Sequence, residues 1–128
     1  MQKHAFLHAV LGAGLIAAVA APAQAGECRA PEMPVMPDGA TASMQEMLDG
    51  QQAVKAFQGA NMAYMKCLEE QFDEAKLKGM ESRDAATRAL AQAAYGEYVD
   101  AYNAAVSAEE TLAGEFNIEL REYKAANQ

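Results

Sequence analysis

No proline follows Pro37, so in the 91 residues from Asp38 to Gln128 no proline ring interrupts a helix. That tract carries the spacing of packed helices. Met47, Val54, Phe57, Asn61, Tyr64 and Leu68 recur at steps of three and four, with Gly50 and Gln51 taking the inner positions of one turn. A second stripe reads Leu90, Ala94, Tyr98, Ala101, Ala105, Ala108, Leu112, Phe116, Leu120 and Tyr123. Ser43 with Glu46 forms a capping box that opens the first helix. Gly79 supplies a left-handed stop after Lys78. Ser82 caps the second helix, with Asp84 in its first turn. A link of about four residues leaves little choice but an antiparallel return. The expected fold is therefore all-α: a long antiparallel helical hairpin over residues 43–128.

Two features oppose that reading. Gly50, Gly59, Gly96 and Gly114 fall inside the helical tracts, each costing about 1 kcal/mol against alanine. Ser107 with Glu110 makes another capping box, so the alternative is a three-helix arrangement with a break near Ser107. The alanine-rich run from Ala101 to Ala108 lets helices approach closely and offsets part of the glycine cost.

Residues 1–25 read as a cleavable signal peptide. Lys3 precedes an apolar run from Ala5 to Ala21, and Ala23-Gln24-Ala25 is a small-x-small cleavage site before Gly26. A membrane anchor would need about 20 predominantly apolar residues; this run is shorter, contains Gly12 and Gly14, and ends at Pro22. A lipoprotein would have a small residue immediately before Cys28, where this chain has Glu27. The expected location is periplasmic or secreted, with no stable membrane insertion once the signal is removed.

Cleavage takes away Lys3, His4 and His8, leaving nine basic against eighteen acidic residues. Such a surface repels phosphate backbones and anionic lipid, which argues against nucleic acid as a partner. With no imidazole there is no Ser-His or Cys-His nucleophile pair and no histidine metal ligand. The scattered carboxylates match solvated helix faces. The expectation is a non-catalytic protein without a cofactor.

Cys28 and Cys67 are the two cysteines of the chain, and an exported protein meets an oxidising compartment. An internal bridge competes with an intermolecular bridge and with two free thiols; compartment and parity favour the internal one. Between Gly26 and Ala42 lies a leg with Pro31, Pro34 and Pro37 at a strict period of three, the repeat of a polyproline II strand. Asp38-Gly39 marks a turn. From Ser43 to Cys67 a helix spans about 36 Å, whereas the 15 residues from Cys28 to Ser43 reach about 46 Å as polyproline II. An extended leg can thus turn back along the first helix and reach Cys67. A helical leg, about 22 Å long, falls short.

The stretch Cys28…Pro37-Asp38-Gly39-Ala40, then Met47, Gln52, Val54-Lys55, Tyr64 and Cys67-Leu68-Glu69, resembles a family of small, uncharacterised exported helical proteins of proteobacteria. Phe116-Asn117, Arg121 and Tyr123-Lys124 are similar to that family's ending. The resemblance spans nearly all of the mature chain. It implies export, helical architecture and paired cysteines, and it carries no catalytic residues with it.

Three further constellations have chemistry to offer. Met33/Met36, Met44/Met47 and Met62/Met65 are pairs at a spacing of three, suited to Cu(I), although methionine also fills gaps between helices. Tyr95 and Tyr102, with Tyr98 between them, form a stripe that could receive the Pro31-Pro34-Pro37 edge or present it to a partner. Glu69, Glu70, Asp73 and Glu74 form an acidic cluster, and Asn117, Arg121 and Lys124 a polar edge; for both, a solvated face is the ordinary explanation. The sequence thus points to a structural or interaction module with an unknown protein partner or self-association. The alternative is a soft-metal carrier built on the methionine pairs.

Overall fold

The computed structural model describes residues 27–128; the expected signal peptide, 1–25, lies outside the described residues. Two helices account for most of them: α1, Met44–Glu81, and α2, Ala85–Ala126. At 38 and 42 residues they are about 57 and 63 Å long. They pack along each other as an antiparallel hairpin.

The capping box stands at the start of α1. Glu46 N–H donates to Ser43 Oγ at 3.3 Å, and Ser43 N–H donates to the Glu46 carboxylate at 2.7 Å. The end of α1 differs from expectation. Gly79 is not a left-handed stop: the helix runs through it to Glu81, and the extended Ser82 ends it, its N–H donating to the Lys78 carbonyl at 3.2 Å. Gly79 faces Ala91, and a Cβ at position 79 would meet the Ala91 Cβ at 3.5 Å, an ordinary contact. Nor does Ser82 cap α2. Asp84 does, accepting from Thr87 N–H at 2.7 Å. The link is three residues, braced by the Arg88 guanidinium, which donates to the Arg83 carbonyl at 3.0 Å and the Ser82 carbonyl at 3.4 Å.

The alternative break near Ser107 does not occur. Helix α2 is continuous, and Ser107 Oγ donates to the Asn103 carbonyl at 3.1 Å, bonding back within the helix instead of opening a new one.

Buried positions on α1 include Met47, Val54, Asn61, Leu68 and Ala75, a strict seven-residue series, with Gly50 and Phe57 between them. On α2 the buried residues are Ala91, Ala105 and Leu112, spaced by multiples of seven. This is the repeat that keeps one seam facing a partner helix over a long distance. Leu90, expected inside, is 73% exposed, and Ala91 takes the inner place. Ala91 faces Gly79 and lines the same clefts as Ala75, so the seam at this end is built of small residues. Gln51 is likewise outside, leaving Gly50 as the inner residue of its turn. Asn61 is 1% exposed, and its amide donates to the Ala105 carbonyl at 2.9 Å and to Glu109 at 3.2 Å. Every buried side-chain polar atom among the described residues has a partner.

Candidate functional site

Two helices laid side by side leave a groove along each face, and in this hairpin one groove receives the N-terminal leg. Cys28 is disulfide-bonded to Cys67, with the Cα atoms 5.6 Å apart. At the other end Pro37 lies on Gly50, where a Cβ would stand 2.9 Å from the proline Cδ. Gly50 to Cys67 is about 26 Å along α1, and nine residues of leg cover it. That is about 2.8 Å per residue, close to the rise of a polyproline II strand. The leg is therefore drawn out between two anchors.

The second anchor is a clasp around the Asp38-Gly39 turn. The Asp38 carboxylate accepts from Ala40 N–H at 3.0 Å, and its carbonyl accepts from Thr41 and Ala42 N–H at 3.1 and 2.8 Å. Gly39 N–H, so presented, donates to the Glu119 carboxylate of α2 at 2.7 Å. Gly39 is buried against the α2 backbone, and a Cβ there would overlap the Glu119 carbonyl. Between the anchors, Met36 packs on the cluster of Val54, Phe57 and Leu112, with Ala108 and Phe116 beside it. Pro31 and Met33 share a cleft with Phe57, Asn61, Tyr64 and the alanines 101, 104, 105 and 108. The alanine run that lets the helices approach thus also makes room for the leg.

The tyrosine stripe does not receive the proline edge. Tyr95 and Tyr102 turn to the opposite face, where both meet Phe72 edge-on with ring centroids 5.9 and 6.2 Å apart. Tyr64 and Tyr98 are the aromatics near the start of the leg, in a cleft shared with Cys28 and Leu68.

Beyond the disulfide the same groove continues towards the link, where no described segment covers it. A cleft of about 400 Å³ opens there, lined by Gln71, Glu74, Ala75, Lys78, Thr87, Leu90, Ala91, Ala94 and Tyr98. Alanines floor it, Leu90 stands at its rim, and Glu74 and Lys78 sit one turn apart on α1. On the opposite face a cleft of about 440 Å³ is lined by Lys76, Met80, Arg88, Gln92 and Tyr95 among others.

The methionine pairs are divided between inside and outside. Met44 is exposed while Met47 is buried; Met33 and Met62 are exposed while Met36 and Met65 are half-buried. Glu69, Glu70, Asp73 and Glu74 are all exposed, as are Asn117, Arg121 and Lys124. The carboxylates that do converge are Asp38, Glu119 and Glu122, with oxygens within 4.8 Å of one another, and one of these already holds Gly39. No local signal joins residues 80 apart, so the sequence offered no route to this clasp. No described helix is long and apolar enough to cross a membrane. No protein-family model, curated protein or solved structure matches this chain.

Proposed function

We propose that the protein is exported to the periplasm or beyond after loss of residues 1–25, and acts there as a non-catalytic interaction module. Its working surface is the groove between α1 and α2. The observation that carries this reading is the leg, a drawn-out segment seated between the helices over Phe57, Asn61 and the alanine run. Past Cys67 the groove keeps its small-residue floor and gains the exposed Leu90, yet no described segment fills it. The compartment rests on the charge, apolar run and small-x-small order of residues 1–25 and agrees with a disulfide-bonded domain. Membership of the exported proteobacterial family is part of the same proposal, carried by the Cys…Pro-Asp-Gly…Tyr-x-x-Cys-Leu pattern. The Pro-Asp-Gly turn and the two cysteines of that pattern are the residues that anchor the leg.

A photo-crosslinking amino acid placed at Leu90, and at outward-facing Ala93 as control, tests the reading in envelope fractions. A discrete adduct at position 90 and none at 93 is expected. Equal labelling at both positions, or none at either, contradicts it. The soft-metal alternative receives no support from methionine pairs split between core and surface. Titration with Cu(I) should show no tight site that Met62→Leu or Met44→Leu removes.

A further inference from the structure

We infer that the uncovered, link-proximal stretch of the groove is a self-complementary interface whose occupant is a second copy of this chain. The inference rests on the interaction-module reading and names the partner. Three observations meet in one place. The leg reaches the disulfide between Cys28 and Cys67, and no other described segment lies over the small-residue cleft that follows towards the link. Leu90 projects from the rim of that bare stretch at 73% exposure, beside the buried Ala75 and Ala91, which floor it. It is a knob and its socket on one surface. The charges lining the same cleft are of opposite sign: Glu74 and Lys78 stand one turn apart on α1.

A two-fold axis passing between Glu74 and Lys78 satisfies all three at once. In an isologous pair, residue i meets residue j while j meets i. Each Leu90 enters the alanine floor of the other copy, and each Glu74 meets the other copy's Lys78. The opposite face lacks this property: the charged residues lining its cleft are Lys76 and Arg88, which a two-fold would set against themselves.

Sedimentation equilibrium of the oxidised mature chain across micromolar to submillimolar concentrations tests the inference. The wild type is expected to dimerise, and Leu90→Glu to weaken the dimer about tenfold or more. Leu90 makes so little contact within the monomer that the thermal midpoint of a dilute, monomeric sample should not move. Glu74→Lys and Lys78→Glu should each weaken association, and the double exchange should restore it. Monomer at every concentration overturns the inference, as does a dimer indifferent to Leu90→Glu. The crosslinking experiment separates the failures. A position-90 adduct of twice the chain mass agrees with the dimer. An adduct of another mass refutes self-association while leaving the module reading intact. Absence of any adduct removes both. Binding of monomer to phosphatidylglycerol vesicles that Leu90→Glu abolishes would assign the surface to lipid and also overturn the inference.

Discussion

Gly50 and Gly59 sit in the same helix and carry the same intrinsic penalty, yet their surroundings differ. Open space surrounds the missing Cβ of Gly59, whereas that of Gly50 is taken by Pro37. Gly59→Ala should therefore raise stability by about 1 kcal/mol, while Gly50→Ala should lower it by about 1 kcal/mol or more through overpacking against the leg. Chemical denaturation of the two variants measures the contrast; equal effects would contradict the seating of Pro37. Acid sensitivity is also argued at this scale. Hydrogen bonds from the Ser43 backbone N–H and then its hydroxyl lower the pKa of Glu46, and those from the Thr87 backbone N–H and hydroxyl lower that of Asp84. A lowered folded value means that the caps contribute fully above the ordinary carboxylate range and lose that contribution as pH falls through the depressed values. Asp84→Asn should flatten the decline of the melting temperature in that acid window. The Ser43 box was legible in the sequence because its partners are three residues apart. The Gly39 clasp on Glu119 was not, since its partners lie 80 apart and only the folded hairpin brings them together.

Asn61 illustrates what is decided at the level of the element. It occupies one place in the seven-residue series of α1, and its amide reaches the backbone of α2. A buried polar residue at such a position selects one register over its neighbours. Asn61→Ala should cost about 1 kcal/mol, the lost hydrogen bonds being partly made good by solvent at the half-buried Glu109. Equilibrium denaturation reads the cost, and no change would mean that the bond to Ala105 adds nothing to the pairing. Helix identity and direction were readable because the two stripes, the Ser43 box and the lack of proline agree, whereas the Gly79 stop, the Ser82 cap and the Ser107 box were not used as read. What misled at the link was hydropathy. Leu90 is the more apolar choice and Ala91 the smaller one, and close approach beside Ala75 and Gly79 selects size. Gly79 looked like a stop because glycine is the usual residue after a helix end, and nothing local marks a glycine that the helix runs through. Tyr95 and Tyr102 were sorted correctly away from the main stripe, but their partner, Phe72, lies on the other helix.

For the whole molecule, the leg is a third element that a two-helix hairpin uses to cover half of one groove. Its hold is covalent at one end and a charge-assisted hydrogen bond at the other. Closing a loop with a separation of 39 residues stabilises by roughly 4 kcal/mol in the chain-entropy account. Cys28→Ser with Cys67→Ser should lower stability by that order and free the leg from the groove. The thermal midpoint reports the first effect, and proteolysis between Glu27 and Pro37 the second. The route of the leg was legible from reach alone, because a drawn-out chain spans the distance to Cys67 and a helical one does not. Its bed was not legible, since which face the tyrosines and alanines present depends on the register of two helices. The account turns on a bond between two sulfurs of one chain. Peptide mapping of the mature protein, digested without reductant after alkylation of free thiols, tests that bond most directly. It should yield a single species joining the Cys28 and Cys67 peptides from monomeric protein. Alkylated cysteines, or Cys28–Cys28 and Cys67–Cys67 species between chains, would contradict it.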